Sequence, residues 1–200
     1  MQQSLFNVNG NILPFQGEVL LFPGIFSAME SDTYFTQLVN EINWRHEAIK
    51  MFGKQVIQPR LTAWYGDEGK SYSYSGITMH PLPWAGALLQ IKQRTETLCG
   101  ITFNSALLNY YRDGRDSMGW HRDDEKELGI NPAIASVSFG AARKFQFRNY
   151  ADKSIIRSTQ LTHGSLLLMR GQTQHYWQHQ LPKTSTATGP RVNITFRVIQ

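Results

Sequence analysis

Two histidines and one aspartate in the second half of the chain have the residue types and spacing of a metal site. His121 and Asp123 stand two positions apart in the segment GWHRDDE. Side chains two apart on an extended backbone point to the same side, so this imidazole and carboxylate can bind one ion. His179, in WQHQLP, offers a second imidazole. Two histidines and one carboxylate form the facial triad of non-haem Fe(II) oxygenases, which leaves coordination positions open for co-substrates.

The residue types by themselves leave alternatives open. The same ligands could hold zinc as a hydrolase centre, and a His-x-Asp pair is also common in surface loops. His175 lies four positions before His179 and competes with it as the second histidine ligand.

The C-terminal segment RVNITFRV carries a second chemical signal. Arg191 and Arg197 lie on the same face of a predicted strand, with Cα atoms about 20 Å apart. If their side chains extend toward each other, the space between the two guanidiniums suits a short dicarboxylate. An edge strand with a solvated polar face is the alternative. Asn109 and Tyr111, which alternate on LLNYY, could add hydrogen bonds from a neighbouring strand. The polar face comprises Arg191, Asn193, Thr195 and Arg197, and the apolar face Val192, Ile194, Phe196 and Val198.

The composition is that of a folded protein with a basic balance. The 200 residues are 41% hydrophobic and 18% charged, which excludes disorder over most of the chain. Twenty basic and fifteen acidic residues leave a net charge of +5, which favours a polyanionic partner only weakly. The single cysteine, Cys99, excludes an internal disulfide. No apolar run approaches the roughly 18 to 20 residues of a membrane span, so we expect a soluble intracellular protein with no membrane partner.

Helical patterns, followed by strand-like patterns, must position these residues. Residues 18–22 predict a buried strand, and Ser27 with Glu30 predicts a capping box before a helix. Residues 84–98 predict a second amphipathic helix. From residue 104 onward, short β-rich runs favour an α+β protein with a β-sandwich or jelly-roll core. Residues 51–83 and 112–132 fit neither pattern and are predicted to be irregular functional loops.

Four separated motifs arrive in an order that resembles the AlkB family of Fe(II)/2-oxoglutarate-dependent dioxygenases. They are NYY at 109–111, HRD at 121–123, the histidine at 179 and RVNITFR at 191–197. The similarity runs from about residue 18 to 199. The loop that begins MFGKQVIQPRLTAWYGDEG is similar to the branch of animal homologues that repair double-stranded DNA.

This resemblance implies a fold and a division of the chain. The fold would be a double-stranded β-helix, or jelly roll, over residues 104–199, with N-terminal helices and a nucleotide-recognition lid over 51–83. Residues 1–17 would be a loosely ordered lead-in to a single domain over 18–200.

The resemblance also implies a metal and co-substrates. His121, Asp123 and His179 would bind Fe(II), with His179 preferred to His175 on the match alone. The co-substrates would be 2-oxoglutarate and dioxygen. The 2-oxoglutarate residues would be Asn109, Tyr111, Arg191, Asn193, Thr195 and Arg197, with Arg191 toward the distal carboxylate.

The implied reaction is oxidative demethylation of N-alkylated bases in DNA, of the 1-methyladenine and 3-methylcytosine type. A methyl group on the pairing edge is out of reach inside a duplex, so the base must be flipped into a pocket. Tyr74 and His121 would sandwich that base, and Phe52 would fill the gap it leaves. The implied substrate-binding residues are Phe52, Gly53, Lys54, Arg60, Tyr72, Tyr74, Asp124 and Glu125. Basic candidates for phosphate contacts are Lys54, Arg60, Lys70, Arg143, Lys144 and Arg148.

Three alternatives remain for the activity. The chain could demethylate RNA, hydroxylate a protein, or bind nucleic acid without catalysis. We expect a monomer that acts on alkylated DNA, duplex and single strand. It would be cytoplasmic in a bacterium and nuclear in a eukaryote.

Overall fold

The structure, a computed structural model, describes residues 10–51, 54–70, 72–74, 77–79, 81–84 and 86–200. The side chains of residues 49–51, 54–56, 72–74 and 77–79 lie outside this description. Among the described helices, none is long and apolar enough to cross a membrane.

The first half of the chain places two long helices among short strands. The strands are β1 (Glu18–Phe22), β2 (Ala48–Met51), β3 (Lys54–Ile57), β4 (Leu61–Gly66), β5 (Tyr72–Tyr74) and β6 (Ile77–Met79). The helices are α1 (Ala28–Glu41) and α2 (Gly86–Cys99).

The second half is mostly β-structure. The strands are β7 (Ser105–Tyr111), β8 (Met118–His121), β9 (Ile134–Gly140), β10 (Arg143–Asn149), β11 (Ile156–Leu161), β12 (Ser165–Arg170), β13 (Trp177–Leu181) and β14 (Arg191–Arg197). A 3₁₀ turn covers Lys126–Leu128, and a short helix, α3, covers Thr173–Tyr176.

Within the described residues, two larger sheets face each other. The six-stranded sheet has the order β1-β12-β9-β14-β7-β4, and the four-stranded sheet has the order β11-β10-β13-β8. The hairpins β2–β3 and β5–β6 form separate two-stranded sheets. The antiparallel order confirms the predicted jelly-roll core of an α+β protein.

The hydrophobic core lies in two layers, one on each face of the six-stranded sheet. Strand β12 shows the alternation: Leu166 and Leu168 pack in the layer beneath α1 and α2, whereas Leu167 and Met169 pack in the layer shared with the four-stranded sheet. Successive side chains on a strand point to opposite faces, so one strand contributes to both layers. Of the predicted lead-in, Leu13 packs in the layer between the sheets.

Strand β14 is central and fully buried, so the alternative of an edge strand with a solvated polar face is wrong. It pairs with β7 on one side and β9 on the other, and all seven of its residues are buried. Its apolar face packs beneath the helices. Its polar face therefore points between the two sheets, where only a ligand or polar partners can satisfy it.

Local signals explain the two helices. The Ser27 side chain accepts from the Glu30 backbone N–H, and the Glu30 carboxylate accepts from the Ser27 backbone N–H, which confirms the capping box. Helix α2 begins at Gly86, two residues later than predicted. Trp84 lies before it because its indole donates instead to Asp67, at 2.6 Å. Gly100, at a φ of 66°, ends the helix as predicted.

The two segments predicted to be irregular contain strands. Residues 51–83 hold β4, which pairs along the edge of the six-stranded sheet, as well as the two hairpins. Residues 112–132 hold β8, which pairs with β13. Strand β8 has only four residues, and two apolar residues, Met118 and Trp120, are too few to predict a strand from their spacing. The boundaries of the lid and of the domain stay predictions.

Candidate metal centre and its two cavities

Two paired strands bring the two predicted histidine ligands together. His121 ends β8 and lies opposite His179 on β13, and their ring centroids are 4.2 Å apart. Asp123 follows on the loop that leaves β8. Its Oδ1 is 4.0 Å from His121 Nε2, and its Oδ2 is 3.9 Å from His179 Nε2. The three ligand atoms lie within 4.8 Å of one another, close enough to bind one cation.

Hydrogen bonding prepares His121 as a ligand. Its Nδ1 lies 2.8 Å from the Gly119 carbonyl oxygen, so Nδ1 carries the proton and Nε2 presents a lone pair toward Asp123 and His179. His175, the alternative ligand, does not lie with these three residues. It is exposed on α3, with its ring against Tyr176. The structure therefore groups His179, rather than His175, with the other two ligands.

The electrostatics of the three groups favour cation binding. Burial, together with the charge that His121 would carry, lowers the pKa of His179 to about 3. Burial also lowers the pKa of His121, against the attraction of Asp123. Burial raises the pKa of Asp123, but Arg197 and the two histidines outweigh it and hold that pKa below its ordinary value. At neutral pH the site holds two neutral imidazoles and one carboxylate, which are the forms that bind metal.

Two further side chains hold Asp123 in place. Arg197 Nη2 donates to Asp123 Oδ1 at 2.8 Å, and the Asp123 backbone N–H donates to Gln174 Oε1 at 3.0 Å. Gln174 lies on α3 and is buried. The sequence analysis missed Gln174 because a single polar residue in a four-residue helix has no periodic signal.

A first, small cavity lies between the sheets beside the three ligands. We call it the co-substrate cavity. Its polar walls include Asn109 and Tyr111 from β7 and Arg191, Asn193, Thr195 and Arg197 from β14. All six residues predicted to bind 2-oxoglutarate thus line one space, together with His121, Asp123 and His179. Strands β7 and β14 are antiparallel neighbours, and Asn109 lies directly opposite Asn193.

Arg191 is a buried cation that lacks a carboxylate partner among the described residues. It is 1% exposed, its Nη2 donates to Ser138 Oγ at 2.9 Å, and its guanidinium lies 5.2 Å from the centre of the Tyr111 ring. Its Nε has no hydrogen-bond partner in the part of the chain that the structure describes. Burial lowers the pKa of Arg191 to about 10, against the attraction of Tyr111. A buried guanidinium is costly unless an anion pairs with it, so this end of the cavity suits a ligand carboxylate.

The remaining polar groups of the co-substrate cavity are connected to one another. Thr195 Oγ1 donates to Asn193 Oδ1 at 3.3 Å, and Asn193 Nδ2 donates to Ser136 Oγ at 2.8 Å. Asn109 Oδ1 accepts from Arg60 Nε at 2.6 Å. These bonds fix the side chains before a ligand arrives.

A second cavity also borders His121 and Asp123, and its walls include Glu47 and Gln58, which flank the hairpin β2–β3. We call it the substrate-side cavity. It shares five residues with the first cavity: Leu107, Met118, His121, Asp123 and Arg197. Its apolar walls are Trp64, Leu107 and Met118. Three acceptors in its walls, Gln58 Oε1, Thr62 Oγ1 and Glu125 Oε2, are buried without a hydrogen-bond partner among the described residues.

The predicted substrate-binding residues divide into three groups. Arg60 and Glu125 line the substrate-side cavity. Asp124 does not; it is exposed and pairs with Arg122 at 2.5 Å. Phe52 and Gly53 lie outside the described residues, as do the side chains of Lys54, Tyr72 and Tyr74.

Two predicted phosphate contacts are buried, so that prediction is wrong for them. Arg60 is 7% exposed and donates to Asn109 and to the Ser117 carbonyl. Arg143 is 3% exposed and donates to the carbonyl oxygens of three loop residues, Asp113, Asp116 and Pro182. Both guanidiniums donate hydrogen bonds to backbone carbonyl oxygens of loops in the protein itself. Lys70, Lys144 and Arg148 keep solvent exposure and remain candidates.

Comparison with known protein families gives one match over nearly the whole chain. Residues 18–197 match the 2OG-Fe(II) oxygenase superfamily. The family description names iron(II), 2-oxoglutarate and oxygenase chemistry, which confirms the predicted metal and the two predicted co-substrates. The residues present fit this group: three neutral or anionic ligands for the metal, and a buried unpaired arginine for a carboxylate.

The chain is also similar to individual proteins. It is 42% identical over 186 residues to bovine "DNA oxidative demethylase ALKBH2", covering 88% of this chain and 66% of that protein. It is 43% identical over 190 residues to human "Alpha-ketoglutarate-dependent dioxygenase alkB homolog 3", covering 90% of this chain and 66% of that protein. The chain thus spans about two thirds of the length of these relatives. A solved structure of OsALKBH1 superposes with a TM-score of 0.63 at 13% identity, covering 93% of this chain and 99% of that one, and supports the fold.

Proposed function

Because this chain belongs to the 2OG-Fe(II) oxygenase superfamily, we propose that it demethylates N-alkylated bases in DNA by direct reversal. The observation that carries the proposal is the position of His121, Asp123 and His179 at the boundary of two cavities. One cavity supplies an unpaired arginine, and the other supplies apolar walls and unpaired acceptors. A metal at this boundary would be accessible from both.

The co-substrate cavity suits 2-oxoglutarate. Arg191 would bind its distal carboxylate, and Asn109 and Tyr111 would contact it from β7. Arg197 would hold Asp123 as a ligand and add positive charge beside the metal. Bound Fe(II), with 2-oxoglutarate and dioxygen, supplies the oxidising power that hydroxylates an N-methyl carbon, and the hydroxymethyl group is then lost as formaldehyde.

The substrate-side cavity suits a flipped base. Trp64, Leu107 and Met118 can contact the flat apolar surface of the base. Gln58, Thr62 and Glu125 offer acceptors to an exocyclic amine, the group that 1-methyladenine and 3-methylcytosine share. An acceptor buried without a partner is unfavourable, and an amine donor would relieve that cost. This arrangement excludes water from the reacting carbon while the protein holds the base edge.

The names of the relatives support DNA as the substrate. ALKBH2 is named a DNA oxidative demethylase, and the identity to it and to alkB homolog 3 is almost the same. Phe52, between Met51 and Gly53 in a lysine-flanked segment, is proposed to enter the stack of a duplex. Tyr72 and Tyr74 are proposed to contact the base, and Lys54 a phosphate. We propose a monomeric enzyme that accepts both duplex and single strand; RNA is the alternative substrate.

The test is co-substrate turnover on defined oligonucleotides. With Fe(II) and 2-oxoglutarate, we expect methyl-dependent release of succinate and formaldehyde from oligonucleotides carrying 1-methyladenine or 3-methylcytosine. Comparing the turnover rates on DNA single strands, DNA duplexes and RNA strands of one sequence shows which substrate the enzyme prefers. The Asp123→Ala variant and unmethylated strands are the controls. Succinate release that no methylated strand stimulates would contradict a nucleic-acid substrate.

A further inference from the structure

Arg122 and Tyr150 form a stacked pair at the rim of the substrate-side cavity, and the function proposed above does not use it. The Arg122 guanidinium carbon lies 4.2 Å from the centre of the Tyr150 ring, and Arg122 itself lines the cavity. Tyr150 directly follows β10 and is 49% exposed. The pair therefore extends from the cavity wall out to solvent.

Both partners of this pair are held rigidly. Arg122 Nη2 lies 2.5 Å from Asp124 Oδ2, and its Nη1 donates to the His175 carbonyl at 3.2 Å. The Tyr150 backbone N–H donates to the Tyr176 carbonyl at 2.7 Å. Because Asp124 already neutralises Arg122, the guanidinium is poorly suited to bind a phosphate. It is well suited to hold an aromatic ring in one orientation, which lowers the entropy lost when a ligand binds.

A second pair of the same kind continues the path along the outer face of the four-stranded sheet. The Arg148 guanidinium lies 4.3 Å from the centre of a Trp120 ring, and its Nη2 donates to Gln178 at 2.8 Å. Trp120 precedes the ligand His121 on β8, so the two side chains point to opposite faces of the strand. Arg148 lies two residues before Tyr150. Unlike Arg122, it has no carboxylate partner among the described residues.

We propose that the exposed ring of Tyr150, backed by Arg122, is a stacking platform for the nucleobase next to the flipped one. The inference rests on the nucleic-acid substrate proposed above. A strand whose base occupies the substrate-side cavity must leave past its rim, where Arg122 and Tyr150 lie. Stacking on an aromatic ring is tolerant of sequence because every base has a π-face. Arg148 then offers a cation to a phosphate farther along the strand.

The experiment measures binding of an unmethylated, fluorescein-labelled ten-nucleotide DNA strand by anisotropy, with no metal present. We expect Tyr150→Ala to raise the Kd about tenfold, since one base–aromatic stack contributes about 1–3 kcal/mol to binding. Tyr150→Phe, which keeps the ring, should bind as the wild type does. Since Tyr150 is uncharged, the dependence of log Kd on log salt should keep its slope in Tyr150→Ala, whereas Arg148→Gln should lower that slope by about 0.7.

Arg94 provides a matched control for the loss of charge. Its guanidinium lies 4.8 Å from the Phe26 ring centre and pairs with Glu30 at 2.9 Å, on the helical side of the molecule. Arg94→Gln should leave both the Kd and the salt slope at their wild-type values. Thermal unfolding of each variant shows whether the fold is kept.

The outcomes separate the platform from the enzymatic function. Wild-type binding by Tyr150→Ala, or a loss as large in Tyr150→Phe, would overturn the platform even if the enzyme demethylates DNA. Binding that depends on the Tyr150 ring, without methyl-dependent turnover, would overturn the proposed reaction and keep the platform. A wild-type protein that binds no strand would overturn the platform, whereas the proposed reaction would still be decided by turnover on methylated strands.

Discussion

The polar face of β14 and the two hairpins of the first half of the chain are built in opposite ways. Strand β14 pairs on both sides and is buried along its whole length. Among the described residues, the hairpins β2–β3 and β5–β6 each form a separate two-stranded sheet. A lone two-stranded hairpin is marginally stable in water, whereas a central strand is fixed by its neighbours. The candidate ligands of the metal and of the co-substrate thus lie on or beside strands that their neighbours hold in place, whereas the proposed contacts to the rest of the substrate involve strands that pair as separate hairpins.

The two regions also differ in how their buried polar atoms are satisfied. In the co-substrate cavity, Thr195, Asn193 and Ser136 bond to one another. In the substrate-side cavity, Gln58 and Thr62 keep acceptors without a partner among the described residues. The first arrangement holds its shape before ligand binding. The acceptors in the substrate-side cavity could receive hydrogen bonds from a substrate.

The largest expected effect is on the candidate metal ligands. His179→Ala should lower 2-oxoglutarate turnover at least about a hundredfold, because removal of even an outer partner of a metal ligand costs 10- to 100-fold. His175→Ala, four residues away and exposed, should retain most activity. Succinate release and binding of Co(II) followed by its absorption spectrum are the measurements. Lost activity in His175→Ala with retained activity in His179→Ala would show that the ligand set is wrong.

The next effect is on co-substrate affinity. Arg191→Ala should raise the KM for 2-oxoglutarate about a hundredfold, because removing one partner of a buried charge pair costs about 2–5 kcal/mol. Arg191→Lys should recover little of this, since an ammonium cannot form the bidentate contact. Initial rates across a 2-oxoglutarate series provide the measurement. Wild-type affinity in the lysine variant would make Arg191 a purely structural residue.

The same contrast explains how far the sequence predicted the molecule. The RVNITFR alternation predicted which side chains share a face of β14, because a period of two survives in any strand. It could not show whether that face met solvent or the other sheet, since this depends on the pairing of β14 with β7 and β9. The burial of Arg60 and Arg143, which were predicted to contact phosphates, could not be foreseen for the same reason. An arginine that donates to backbone carbonyls inside the protein has the same sequence signal as one that is exposed to solvent.

The periodicity of apolar residues did not predict β4 or the two hairpins. Strand β4 and the hairpins lie in a segment rich in glycine, tyrosine and charge, where the apolar alternation of a two-sided core is absent. The resemblance to a family, rather than the pattern, assigned residues there. Glu125 lines the substrate-side cavity, whereas Asp124 pairs with Arg122 at the surface.

A smaller and more selective effect is expected at the hairpins. Phe52→Ala should reduce repair of a methylated duplex about tenfold more than repair of the same base in a single strand. The reason is that unstacking costs a few kcal/mol per step, and only in a duplex can an inserted ring offset that cost. Demethylation of matched oligonucleotides at one salt concentration tests this. Equal losses on both substrates would indicate that Phe52 is a packing residue.

The smallest effect is on stability, and its sign should differ between the two cavities. Thr62 on β4 and Thr195 on β14 are both buried, at 2% and 8% exposure. The Thr62 hydroxyl has no partner among the described residues, whereas the Thr195 hydroxyl donates to Asn193. A buried polar group without a partner costs about 1–3 kcal/mol, and a made hydrogen bond contributes about 0.5–1.5 kcal/mol. Thr62→Val should therefore raise the free energy of unfolding of the metal-free protein by about 1 kcal/mol, and Thr195→Val should lower it by about as much.

Each kcal/mol corresponds to a change in Tm of about 2–4 °C for a protein of this size, so urea and thermal unfolding can both resolve the difference. Thr62→Val should at the same time weaken turnover of a methylated base, because the hydroxyl that has no partner among the described residues is the one proposed to meet the substrate. If Thr62→Val destabilises the protein, the Thr62 hydroxyl is already satisfied without a ligand, and the contrast between Thr62 and the hydrogen-bonded Thr195 would fail.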